Sequence, residues 1–201
     1  MTARDPRGLR ASGSAGPAGA RADSPLLWNV AGLLGEAAGG VRDYTVAGVE
    51  IDGGDDFQLA APIDGHVRVT RTNRGLLVDA GLTTALASQC VRCLRDITVP
   101  MALEIRDEAL PSLDLKTGKA ATLSAEDAET GVIVLTDHHE LDLEPAIRDA
   151  ILLNEPVAPV DREDCPGLCI VCGLPLDEGE HDHPDDDIDP RLEALRGFVA
   201  D

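Results

Sequence analysis

The sequence predicts an α+β fold: an antiparallel, barrel-like sheet, one packed amphipathic helix and a C-terminal segment stapled by zinc. Three observations carry that expectation. Residues 97–105 read Ile-Thr-Val-Pro-Met-Ala-Leu-Glu-Ile, with every odd position apolar, which is the period of a half-buried strand. Residues 142–153 place apolar side chains at 143, 147, 150 and 151 behind Pro145, the pattern of a helix that hides one face. Cys165, Cys169 and Cys172 follow at C-x3-C-x2-C spacing, with His181 and His183 close behind. Thiolate sulfur and imidazole nitrogen are the donors zinc prefers, and a structural site closes at four ligands.

Taken in order, residues 1–24 are rich in Ala, Gly, Arg and Pro and read as a disordered tail. Order is expected from Leu26, with Asn29 capping a short helical turn that holds Leu33 and Leu34 and ends at Gly35. Gly39-Gly40 then leads into an extended piece over 44–49. From Phe57 the pattern turns β: Val67 and Val69 alternate with polar residues, and Asn73-Arg74-Gly75 marks a turn before 76–78. Pro100 removes a backbone donor, which places the strand at 97–105 on a sheet edge or at a bulge. Residues 107–131 are acidic and lack periodicity, the mark of a surface loop, and 132–135 read as a short buried strand. Acids in the first turn favour the helix at 142–153, and Asn154-Glu155-Pro156 stops it. Beyond the cysteines, 177–187 form an acidic loop, and Asp189-Pro190 opens a last helix with Leu192, Leu195 and Val199 on one face. The expected organisation is a tail (1–24), an α+β body (25–160) and a Cys/His segment with its closing helix (161–201).

Composition narrows the function. The chain has 201 residues, long enough for an apolar core that does not depend on metal. With few aromatics, that core must be Leu, Val, Ile and Ala. The net charge of −20 works against unaided attraction to nucleic acid or anionic lipid and makes basic proteins the natural electrostatic partners. Five cysteines grouped two and three do not form the even disulfide framework of a secreted domain. There is no apolar run of membrane-spanning length, and the leader lacks the apolar middle of a secretory signal, so a cytoplasmic protein with no membrane partner is expected. No phosphate-cradling glycine loop, nucleophile elbow or H-E-x-x-H occurs, and the expectation is a non-enzymatic protein with no small-molecule substrate. His138-His139-Glu140 beside Asp137 is read as a polar turn.

The metal ligands expected from local spacing are Cys165, Cys169 and Cys172, completed by His183 or His181. Cys90-Val91-Arg92-Cys93 leaves three readings: a redox pair, half of a zinc ribbon shared with Cys169 and Cys172, or partly buried turn residues. The local site is preferred because it closes four ligands without joining distant segments. Around Cys90 and Cys93 lies a basic island. Residues 66–106 hold six arginines against three acids, a net +3, whereas 161–201 hold three arginines against thirteen acids, a net −10. Arg68, Arg71, Arg74, Arg92 and Arg95 are candidate contacts for RNA phosphate or a partner, although no aromatic stacking platform accompanies them.

Four pieces in order resemble the YceD family, the large ribosomal RNA subunit accumulation proteins. They are Leu33-Leu34-Gly35, Cys90-Val91-Arg92-Cys93-Leu94, the run from Asp142 to Asp149, and the run from Cys165 to Gly173, with residues 188–192 similar to the family's closing segment. Many members with this cysteine-rich stretch carry another cysteine about five residues before its first one; Val160 stands there in this chain. The resemblance implies a role in accumulation of large-subunit ribosomal RNA and in large-subunit assembly, through ribosomal RNA, basic ribosomal proteins or assembly factors, and brings no catalytic residue. Two other classes stay open: a zinc-stabilised acidic interaction module unrelated to ribosomes, and a thiol redox enzyme using Cys90 and Cys93.

Overall fold

The computed structural model describes residues 24–114, 117–121, 124, 127, 131–183 and 191. The expected N-terminal tail (but for Ser24), much of the acidic loop and the closing helix lie outside them.

Five strands form the main sheet in the order β2 (Val41–Val49), β3 (Gln58–Arg71), β4 (Leu76–Gln89), β5 (Asp96–Leu110) and β6 (Ile133–Val134). The first four pair antiparallel in a meander, and β6 joins β5 in parallel at Ala109 and Leu110. The predicted alternation of β5 holds and runs further than expected: 101, 103, 105 and 109 are buried, while 98, 100, 102, 104 and 106 face out. In β4 every even position from Leu76 to Leu86 is buried. That strand is far longer than the 76–78 expected, because the Ala and Gly residues that interrupt its Leu and Thr are depleted in strands, and pairing on both sides completes it. Pro100 sits opposite Ala85 on a stretch of β5 that β6, confined to residues 109–110, does not cover. This is the edge environment its missing donor requires.

The expected barrel-like curl is not closed. β2 is one edge of the sheet and the two-residue β6 the other, and no pairing joins them among the described residues. Closure needs a last strand long enough to take the first in a continuous ladder, and β6 is too short for that.

A second, two-stranded sheet pairs β1 (Leu27–Asn29) with β7 (Glu140–Asp142). Between β1 and β2, α1 (Ala31–Leu34) buries Leu33 and Leu34, and the Asn29 carboxamide oxygen accepts the Ala31 N–H at 3.1 Å. The long helix α2 (Glu144–Asn154) starts where Asp142 accepts the Glu144 N–H at 3.0 Å and carries Pro145 in its first turn. It packs on β5 and buries Ile147 and Ile151 completely, joining Leu76, Val78, Leu82, Leu103 and Ile105 in one apolar cluster. Burying each such side chain contributes about 1.5–3 kcal/mol. The core therefore lies between the sheet and α2, and the far end of the β4–β5 hairpin, residues 90–95, is left to receive the C-terminal segment.

Candidate metal centre

Residues 159–183 run back over the β4–β5 turn. The Val91 N–H donates to the Pro159 carbonyl at 3.0 Å. The Arg92 guanidinium donates to the carbonyls of Glu163 (3.2 Å) and Cys165 (3.0 Å). Arg95 reaches Asp177 at 3.0 Å, Glu178 at 2.7 Å and Asp161 at 3.4 Å, and Arg162 shares Asp177 at 2.8 Å. The hydrogen bonds from Arg95 and Arg162 hold the Asp177 carboxyl well below the usual carboxylate range. Gly167, at φ +86°, passes over Arg92, where an added Cβ would lie 3.3 Å from the Arg92 carbonyl oxygen. Glycine suits both that approach and that backbone angle.

The chain then makes a small hairpin, with Leu168 bridged to Pro175 and the Leu176 N–H bonded to the Gly167 carbonyl. At its tip the Cys169 N–H donates to Leu174 O (2.8 Å) and the Gly173 N–H donates to Cys169 O (2.9 Å). This turn aims backbone N–H groups at sulfur. Those of Cys172 and Val171 lower the Cys169 thiol to about 6 against the opposing effect of burial, with further help from the Cys172 side chain and His183. The donor atoms of Cys169, Cys172, His181 and His183 all lie within 4.8 Å of one another.

The geometry of this set suits a tetrahedral ion. Bond lengths of about 2.3 Å to sulfur and about 2.0–2.1 Å to nitrogen give a sulfur–nitrogen edge of about 3.6 Å; Cys172 Sγ and His181 Nδ1 are 3.5 Å apart. His181 Nε2 lies 3.0 Å from the Pro175 carbonyl. A proton there leaves Nδ1 as the free donor, the orientation a ligating imidazole takes. His183 Nε2 is buried with no hydrogen-bond partner. A coordinate bond would satisfy that atom, which is otherwise costly to bury.

Cys165 is elsewhere. Rather than standing with Cys169 and Cys172, it groups with Cys90 and Cys93, their three sulfurs within 4.8 Å of one another and Cys90 Sγ 3.8 Å from Cys165 Sγ. The structure thus brings together Cys169, Cys172 and both histidines, and separately Cys90, Cys93 and Cys165. The sulfurs of Cys90 and Cys93 likewise stand in a different group from those of Cys169 and Cys172. What local spacing missed is the 75-residue separation that the hairpin bridges. The repeated C-x2-C was the signal that could have paired the two turns as equivalents.

The arginines have internal partners. Arg68 pairs with Asp43 at 2.8 Å, Arg71 donates to the carbonyls of Leu34 and Gly75, and Arg74 bonds Asp127. Arg92 and Arg95 fasten the C-terminal segment. Asp137, His138, His139 and Glu140 span the turn into β7 and gather no donor set among the described residues. No described helix is long and apolar enough to cross a membrane.

An open sheet whose C-terminal segment carries Cys/His groups that could hold a metal ion defines the class of protein. Within it, the chain belongs to the YceD family, described as large ribosomal RNA subunit accumulation protein YceD, which matches residues 78–199. It is also similar to uncharacterized proteins of Mycobacterium bovis and Mycobacterium tuberculosis, each 35% identical over 135 residues, 67% of this chain and 61% of the relative. An uncharacterized protein of Mycobacterium leprae is 35% identical over 144 residues, 72% of this chain and 62% of the relative. The match thus spans about three fifths of the length of these relatives. No solved structure matches the chain.

Proposed function

We propose that the protein supports accumulation of large-subunit ribosomal RNA and assembly of the large ribosomal subunit as a non-enzymatic binding factor, with zinc held by Cys169, Cys172, His181 and His183. Family membership over residues 78–199 carries the ribosomal part of this reading. The proposed zinc ion would supply no chemistry beyond structure, since four protein donors leave no position for a substrate.

The direct partner is a basic protein, such as a ribosomal protein, in preference to RNA. Beyond the cysteines, the hairpin tip exposes Ile170 (100%), Val171 and Leu174, with Glu178, Glu180 and Asp182 following. An apolar tip rimmed by acids suits a basic protein surface with an apolar recess. Arg92 and Arg95 already hold the C-terminal segment, which makes them poorly placed to serve phosphate. Depletion of the protein should lower the ratio of large- to small-subunit ribosomal RNA, with rescue by the intact chain and not by Ile170→Asp with Leu174→Asp. An unchanged ratio under complete depletion would overturn the ribosomal reading. A tagged pull-down without ribosomal proteins would favour an acidic interaction module of another pathway.

A further inference from the structure

The turn at Cys90–Arg95 repeats the turn at Cys169–Leu174 bond for bond. Cys90 N–H donates to Arg95 O at 2.8 Å and Leu94 N–H to Cys90 O at 2.9 Å, the lengths of the corresponding pair in the hairpin. Where the hairpin has Gly173 at φ +73°, the β4–β5 turn has Leu94 at φ +59°. A leucine in the left-handed region is an outlier that persists only where the surroundings impose it. Leu94 is more than half exposed, so its own packing does not impose that angle. Cys90, Cys93 and Cys165 are almost wholly buried, and no thiol in the chain is in a disulfide.

We propose that Cys90, Cys93 and Cys165 form a second metal site, separate from the Cys169/Cys172/His181/His183 set, in which three buried thiolates hold one thiophilic ion and clamp the C-terminal segment to the β4–β5 turn. Two thiolates on one tetrahedral ion lie about 3.8 Å apart, and Cys90 and Cys165 stand at that separation, 3.8 Å. A disulfide would require about 2.05 Å and would leave the third thiol without a role. No fourth cysteine, imidazole or carboxylate joins the three among the described residues. Ile97, Val160 and Leu168 pack around them instead. The site therefore offers three sulfurs and an apolar remainder, which suits a soft ion such as zinc or copper(I) and excludes oxygen-seeking calcium and magnesium. Arg92, hydrogen-bonded to the Cys165 carbonyl, puts a cation beside a cluster that carries excess negative charge when three thiolates bind a divalent ion.

Native mass spectrometry and elemental analysis of the full chain, purified under reducing conditions, test this. Two ions per chain are expected. His181→Ala with His183→Ala should lose one and keep the other, whether zinc or copper, and that retained ion should disappear when Cys90→Ser and Cys93→Ser are added. Cadmium-113 resonances of the cadmium-loaded protein should number two, the more sulfur-rich surviving the histidine changes. Val160→Cys, which removes no ligand, should slow chelator release of the second ion on the order of tenfold, about 1.4 kcal/mol. A single ion per chain that vanishes with the histidines would overturn the proposal even if the first site stands. A Cys90–Cys165 disulfide in freshly purified protein, or a Val160→Cys variant with unchanged metal content and release, would overturn it equally.

Discussion

In the body built from the sheet and α2, Leu103, Leu143, Ile147 and Ile151 are completely buried within one continuous apolar cluster that reaches from the strands to α1 and α2. In residues 155–183, Val157 and Ile170 are fully exposed, and the buried side chains are largely the cysteines themselves, packed with Val160 and Leu168. The first region is held by removing apolar surface from water. The second buries too little for that, and it is fastened by the hydrogen bonds of Arg92, Arg95 and Arg162 and by the packing of Cys165 against Cys90 and Cys93. The contrast shows how a segment with no core of its own can be fixed to a body that has one: the body supplies a turn with thiols and cations at its end, and the segment supplies the complementary thiol, carbonyls and acids.

The contrast can be broken most forcefully by removing the proposed metal. Structural zinc contributes apparent binding free energies of about 10–16 kcal/mol in small peptides, whereas the sheet core here has no metal donors. Chelation should open residues 155–183 to limited proteolysis while the β signal in circular dichroism persists. Cooperative loss of both would show the two regions to be one folding unit. Ile147→Ala makes the reciprocal cut and should cost about 2–5 kcal/mol in denaturant unfolding with metal content per folded chain unchanged.

A smaller effect sharpens the likeness of the two turns. Gly173→Leu should destabilise the hairpin by about 1–2 kcal/mol, the penalty of a left-handed non-glycine residue. Leu94→Gly should stay within about 1 kcal/mol of the parent, since relief of that strain is offset by glycine's freedom in the unfolded chain. Thermal melts of the metal-loaded variants would check the pair, and equal penalties would sink the equivalence.

The least effect is expected from acid on the sheet side. The Ser124 hydroxyl and backbone N–H, followed by Arg74, hold the Asp127 carboxyl at about 2, below the ordinary 3.8. A depressed carboxyl stabilises the fold above its unfolded pKa and loses that contribution as pH falls through the folded value. Asp127→Asn should therefore lower stability above about pH 4 and match the parent below pH 2. Melting temperatures across that window decide it.

Much of the fold is legible in the chain alone. Strand β5 and helix α2 announce themselves because each hides one face, and a half-buried element must write its period into the chain. The donor inventory is legible too, since few other uses bring three cysteines and two histidines so close together. Less visible is β4, whose Ala-Gly-Leu-Thr-Thr-Ala run has weak strand preference and becomes a strand only between two long partners. The openness of the sheet is equally hidden, because pairing order leaves no local trace.

By itself, then, the sequence determined the elements with a strong hydrophobic period, the acidic charge balance and which atoms are available to bind a metal, all being properties of neighbours along the chain. Only the tertiary structure decided how those donors are shared. Cys165 is four residues from Cys169, yet its sulfur meets that of Cys90, 75 residues away. The reason is physical: the hydrogen-bonded ladder of β4 and β5 carries Cys90 and Cys93 to one rigid end of the sheet, and Arg92 and Arg95 hold the returning segment against them. Local spacing sets which donors could share an ion, and the packing of the sheet sets which ones stand together.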